Sequence, residues 1–210
     1  MRFPTLVTFA GVLSLGVVAV GAPTPPLAPD IPAKFDVPTR EADYERREAK
    51  IAMRDGVKLH TVILVPRGAR RAPMVLTRTP YDANKRAQRN VSHLMAATVP
   101  IGDDLLVAGG YIRVFQDVRG KDNSEGEYVM TRPLRGPLND IKVDHSTDAF
   151  DTIDWLVRNV PESNGKVGMI GSSYEGFTTL MGLVKPHPAL KAAVPICPMV
   201  DGWKIGRAHV

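Results

Sequence analysis

The chain has a single cysteine, Cys197, in 210 residues, which excludes an internal disulfide. It follows the apolar run Ala192 to Ile196, so it reads as a buried strand cysteine rather than a reactive thiol. No nucleic-acid motif is present. The net charge is +5, but the short basic clusters Arg67–Arg71 and Lys85–Arg89 carry no interleaved aromatics. They read as solvated loops, which argues against a nucleic-acid surface. No internal repeat is evident. The apolar run Leu6 to Val20 is short, and no stop-transfer pattern follows it. With Arg2 before it and the small residues Val20-Gly21-Ala22 after it, it predicts a secretory signal peptide over 1–22. An uncleaved N-terminal anchor is the competing reading. The expected location is periplasmic or secreted, with no membrane span in the mature form. Pro23 to Pro32 is proline-rich and predicts an extended arm over 23–40.

What remains is globular in composition, 44% hydrophobic and 23% charged, enough for one domain with a sizeable core. Arg46–Met53 and Val57–Val65 read as strands joined by Asp55-Gly56, a strong hairpin signal. Pro73–Thr77, Tyr111–Gln116, Lys166–Ile170 and Ala192–Cys197 read as further strands. Asp103–Ala108 reads as a helix stopped by Gly109-Gly110, and Lys85–Ala97 as a short helix or an irregular excursion. Asp117–Pro137 reads as a long loop. The clearest helix is Ser146–Val160, with Ser146 as its expected N-cap and Ala149, Ile153, Leu156 and Val160 at helical spacing. Asp148, Asp151 and Asp154 near its start suit the helix dipole, a plainer reading than catalysis. Strands alternating with helices predict a mostly parallel sheet, led by an antiparallel hairpin.

Gly171-Ser172-Ser173-Tyr174-Glu175-Gly176 lies between a strand and a helix read over Phe177–Val184. A Gly-flanked turn with a central serine in that context is a nucleophile elbow, with Ser173 as the nucleophile. Its two glycines leave room for the sharp reversal. The plain alternative is that the serine only caps the helix. An elbow after the fifth strand of such a sheet is the α/β-hydrolase arrangement. A serine hydroxyl needs a base, and in this fold the acid and the histidine follow the serine. Only His187 and His209 do so. His187 sits between two prolines with no acid-bearing loop before it, and reads as a loop residue. The triad is therefore incomplete within these residues. One oxyanion donor is the backbone N–H of Tyr174. The loop that usually supplies the second reads Thr79-Pro80-Tyr81-Asp82, with no glycine run. The Tyr81 hydroxyl can donate there, or Tyr81 can simply pack as a loop aromatic.

These residues resemble a known family. Gly171 to Gly176 preceded by Lys166-Val167-Gly168, together with Thr79-Pro80-Tyr81, Gln116-Asp117-Val118-Arg119-Gly120, Ser124-Glu125-Gly126 and Asp151 to Leu156, is similar to the Xaa-Pro dipeptidyl-peptidase and cocaine-esterase-like (CocE/NonD) serine hydrolases. Gly110–Phe115, Tyr128–Pro137 and Gly171–Phe177 resemble the bacterial α-amino-acid ester hydrolases within that group. The resemblance runs from about Glu41 to Trp203. It implies a truncated α/β-hydrolase fold, with Ser173 as nucleophile and the Tyr174 N–H and Tyr81 hydroxyl as oxyanion donors. It also implies acyl transfer from α-amino-acid esters and amides, β-lactam antibiotics included. Export, a homotetrameric full-length protein, and no cofactor or metal are implied as well. Xaa-Pro peptidase, cocaine-esterase-like and glutaryl-acylase activities are the alternatives within the group; a secreted non-catalytic binding domain is the alternative outside it. A lipase is disfavoured by the Tyr81 loop. The resemblance lapses after Asp201-Gly202-Trp203, where the family continues with an acidic segment and a substrate-binding carboxylate near position 207. Lys204–Val210 is instead what a common sequencing adaptor encodes, so residues 204–210, His209 included, are expected to be an artefact. The acid, the histidine, a cap and a jelly-roll domain are expected in a missing portion. The 210 residues alone are expected to lack turnover and, with an apolar sheet edge, to aggregate.

Overall fold

Asp55 and Gly56 turn the chain between two strands, β1 (Tyr44–Ala52) and β2 (Lys58–Pro66), which pair antiparallel from Ala52–Lys58 to Tyr44–Pro66. Gly56 takes the turn at φ 88°, a left-handed conformation that favours glycine. The computed structural model describes residues 41–200. The signal peptide and arm expected over 1–40, and residues 201–210 with Trp203 and His209, lie outside the described residues.

Four more strands follow: β3 (Ala72–Thr79), β4 (Ile112–Asp117), β5 (Ser163–Ser172) and β6 (Leu190–Ile196). The sheet order is β1-β2-β4-β3-β5-β6. β1, β2 and β4 pair antiparallel, whereas β4, β3, β5 and β6 run parallel. The expected mostly parallel sheet with an antiparallel lead is thus observed. Three short helices, α1 (Ala83–Ala87), α2 (Met95–Thr98) and α3 (Asp104–Ala108), fill the β3–β4 crossover; α4 (His145–Asn159) precedes β5 and α5 (Tyr174–Gly182) follows it.

Both faces of β2, β3 and β4 are covered, so these central strands are buried on both sides. Ile63 and Val65 of β2 join Met74, Leu76, Ile112, Val114 and Met169 beneath Ala149, Ile153 and Leu156 of α4. Val62 and Leu64 point the other way, against Phe115, Ala83, Ala87, Met95 and Val99.

The structure corrects several expectations. The N-cap of the long helix is Asp144, not Ser146. The Asp144 carboxylate accepts from the Thr147 N–H at 2.7 Å while its own N–H donates to Thr147 Oγ1 at 2.8 Å. This reciprocal box satisfies two end groups, and Ser146 is left buried inside the helix. The elbow helix begins at Tyr174, three residues earlier than expected. Cys197 lies past the end of β6 at φ 40° and is exposed, as β6 is the edge strand of the sheet and none of its residues is buried. The basic cluster Lys85–Arg89 is not all solvated: Arg86 pairs with Glu175 at 2.8 Å, and Arg89 Nε donates to the Val99 carbonyl at 3.0 Å.

The three helix aspartates have arginine partners. Asp151 receives Arg54 Nη2 at 2.7 Å and Asp154 receives Arg158 Nη2 at 2.7 Å, both near solvent. Asp148 is buried and accepts from Arg119 Nη2 at 2.7 Å, with Arg78 Nη2 at 3.6 Å. Arg119 also reaches Asp55 at 2.8 Å, so one guanidinium ties the hairpin turn to α4.

Candidate active site

β5 ends at Ser172 and α5 begins at Tyr174, leaving Ser173 to make the whole reversal. Its φ of 57° with ψ −117° is a region that side chains seldom occupy. Neighbouring backbone holds it there. The Ser173 N–H donates to the Ile196 carbonyl at 3.0 Å, and the Ser173 carbonyl accepts from Phe177 at 3.0 Å and Met199 at 3.2 Å. Although Ser173 occupies the N-cap position of α5, its side chain makes no capping hydrogen bond. The hydroxyl stays exposed at the strand edge. The helix-cap alternative therefore has no geometric support.

The flanking glycines are a packing requirement. A Cβ on Gly171 would lie 2.3 Å from the Glu175 carbonyl oxygen, and one on Gly176 would lie 2.6 Å from the Ile196 carbonyl oxygen. Real Cβ atoms do not approach backbone so closely, so a side chain at either position would displace the helix or β6.

Tyr174 presents only its backbone to this edge. Its hydroxyl is turned away and donates to the Met130 carbonyl at 2.7 Å, within the loop that runs from β4 to α4. Burial, and then the hydrogen bond with Tyr128, push the phenol well above its usual range, so it stays neutral. No acceptor for the Tyr174 N–H is found among the described residues.

Tyr81 lies just past β3. In the parallel β3–β5 ladder Leu76 pairs with Met169. The two strands thus end at the same side of the sheet, and Tyr81 and Ser173 follow their C-terminal ends, where ligands bind in such sheets. Tyr81 is 55% exposed and its N–H donates to Thr79 Oγ1 at 3.0 Å. Two acids hold the next residues: Asp82 N–H donates to Asp122 Oδ2 at 3.0 Å, and Ala83 N–H donates to Asp117 Oδ1 at 2.6 Å. Asp117 was visible in sequence only as part of a motif; its anchoring role depends on where β4 ends. Burial raises its carboxyl above the ordinary range, although the Ala83 and Asn123 N–H donors oppose the shift.

His187, His145 and His60 do not complete the site. His187 precedes β6, at the sheet edge opposite Ser173, and the seven residues of β6 separate those edges. At about 3.3 Å per residue that is roughly 20 Å, beyond any hydrogen bond. There His187 packs on Phe150 at 4.7 Å, with Nε2 3.5 Å from Asp154. His145 is buried edge-on to Phe177 at 5.3 Å, and burial lowers its pKa to about 4. His60 is buried in β2, with Nε2 3.3 Å from Asn84 Oδ1. Among the described residues, no group of three or more His, Cys, Asp or Glu side chains is placed to hold a metal ion.

A hairpin-led parallel sheet with an elbow serine after its fifth strand defines an α/β hydrolase. Residues 55–209 match the family described as X-Pro dipeptidyl-peptidase (S15 family), and the chain belongs to that family. It is 32% identical to a cocaine esterase from Rhodococcus sp. over 73% of this chain and 24% of that protein. A solved α-amino acid ester hydrolase is 67% identical, with a TM-score of 0.77, over 86% of this chain and 30% of that one. A solved aminopeptidase from a marine-sediment Thaumarchaeota archaeon is 58% identical, with a TM-score of 0.76, over 84% of this chain and 29% of that one. The chain thus spans about a quarter to three-tenths of the length of these relatives.

Proposed function

We propose that residues 41–203 form the N-terminal part of an exported α-amino-acid ester hydrolase that works through an acyl-enzyme on Ser173. The observation that carries the reading is the strained, uncapped Ser173 between two steric glycines, in a chain 67% identical to a solved enzyme of that name. In the proposed reaction a histidine outside the described residues takes the Ser173 proton as Oγ attacks the ester or amide carbonyl carbon. The carbonyl oxygen becomes an oxyanion held by the Tyr174 N–H and the Tyr81 hydroxyl. Collapse expels the alcohol or amine with a proton returned by the base, and water or a second amine then releases the acyl group. β-Lactams bearing an α-amino acyl side chain fall within this substrate class. Export rests on the signal peptide read over 1–22, and a homotetramer rests on the family resemblance.

The test uses the full-length protein. A fluorophosphonate probe is expected to label Ser173 and not a Ser173→Ala variant. An α-amino-acid methyl ester is expected to be hydrolysed and its N-acetyl counterpart not. Equal rates on both esters would refute the amino-ester reading. A second reading, an aminopeptidase, is favoured by the 58% identical archaeal structure. Faster turnover of amino-acid p-nitroanilides than of the corresponding esters would support it instead.

A further inference from the structure

The two oxyanion donors of the proposed site belong to separate segments, and the elbow helix grips the Tyr81 segment on both sides. Before Tyr81, the Arg78 carbonyl accepts from Thr178 Oγ1 of α5 at 2.8 Å. After it, Arg86 of α1 extends Nη2 to Glu175 Oε2 at 2.8 Å. Glu175 is two residues beyond Ser173, in the first turn of α5, and its side chain is only 5% exposed. Its second oxygen and Arg86 Nε have no hydrogen-bond partner among the described residues. Both residues line one cavity of about 220 Å³ behind the elbow, shared with Asp103 and Arg113, which pair with each other at 2.7 Å. A buried carboxylate left half-satisfied is a poor arrangement for stability alone. Its position is better explained by what it joins.

We infer that Arg86 and Glu175 are a positioning pair that sets the Tyr81 hydroxyl against the Ser173 elbow. The inference rests on the active-site reading above. Neither residue touches substrate. Without the pair, α1 is released on one side and the second oxyanion donor loses its alignment, while Ser173 and the Tyr174 N–H stay in place.

The test is a double-mutant comparison in the full-length enzyme, read as kcat and KM on an α-amino-acid ester. Glu175→Gln is expected to lower kcat roughly 10- to 100-fold with KM little changed, the scale of an ångström-sized misplacement. In a Tyr81→Phe background the same substitution is expected to cost less than about threefold, because the group it positions is already gone. Arg86→Lys, which keeps the charge, is expected to retain more activity than Arg86→Met. Equal losses in both backgrounds, or no loss in either, would overturn the inference. If Glu175→Gln does not fold, Arg86→Met carries the same comparison, since that side chain is 37% exposed. If Ser173→Ala and Tyr81→Phe both leave turnover intact, the active-site reading fails and the inference with it. If they abolish or reduce turnover while Glu175→Gln behaves additively, only the pair is refuted.

Discussion

The Ser173 N–H and the Ile196 carbonyl meet at 3.0 Å, so the end of β6 fixes the backbone of the elbow. The same carbonyl oxygen bounds the space at Gly176, 2.6 Å from where a Cβ would stand. One backbone atom therefore both holds the serine and forbids a side chain three residues later. Gly176→Ala is expected to destabilise the protein by about 1–3 kcal/mol, as overpacking against backbone does. It should also abolish fluorophosphonate labelling of Ser173. Unfolding in urea and labelling yield are the measurements; an unchanged midpoint with full labelling would show that β6 yields freely.

The two tyrosines should separate chemistry from stability. The Tyr81 side chain is mostly solvent-facing, so Tyr81→Phe is expected to leave the thermal midpoint unchanged. It should lower kcat about 10²- to 10³-fold, the usual consequence of losing one oxyanion donor. The Tyr174 hydroxyl instead bonds Met130, and Tyr174→Phe keeps the backbone N–H. That variant is expected to lose about 1 kcal/mol of stability and to retain most activity. Steady-state kinetics and thermal unfolding of both variants check the contrast.

His145 should make the protein acid-sensitive. Burial, with the Arg78 charge adding to it, lowers its pKa from an ordinary 6.5 to about 4. Between those pH values the unfolded chain binds a proton that the folded protein does not, so stability falls as pH falls through that window. The loss approaches about 3 kcal/mol at pH 4 and is absent above pH 7. His145→Gln is expected to flatten this part of the curve. Parallel stability profiles for the two proteins between pH 4 and pH 7 would show that this histidine contributes nothing.

Asp148→Asn removes the charge from the buried cluster around Arg119 and Arg78. It is expected to cost about 3–5 kcal/mol, because buried Arg78 loses the carboxylate beside it and Arg119 keeps only Asp55. The Arg158–Asp154 pair has the same 2.7 Å contact, but its arginine side chain is 72% exposed. Arg158→Ala is expected to change stability by less than about 1 kcal/mol. Chemical denaturation of the two variants measures the difference, and equal costs would mean that burial is not what makes the Asp148 cluster matter.

Much of the site could be read locally. Asp55-Gly56 specified a hairpin because its turn chemistry is contained in the residues themselves. Gly171 and Gly176 specified an elbow because a strand-to-helix reversal has no room for other side chains at those spacings. The cap of α4 was less legible. Ser146 and Asp144 both suit the role, and the choice depends on which carboxylate or hydroxyl can close onto Thr147 where the helix enters the fold. Cys197 was misjudged because an apolar run was taken as buried, whereas β6 lies at the sheet edge with none of its residues buried.

By itself, the sequence determined the order of the strands along the chain, the elbow and the place of Ser173 in it, since each depends on periodicity or on steric limits within a few residues. Only the tertiary structure decided which distant groups meet. Arg86 and Glu175 are 89 positions apart, and their pairing requires α1, packed on β2 and β4, to meet the elbow helix, packed on β3, β5 and β6. Tyr81 and Ser173 reach the same edge because β3 pairs parallel with β5, a relation set by hydrogen bonds between strands and invisible in either segment alone.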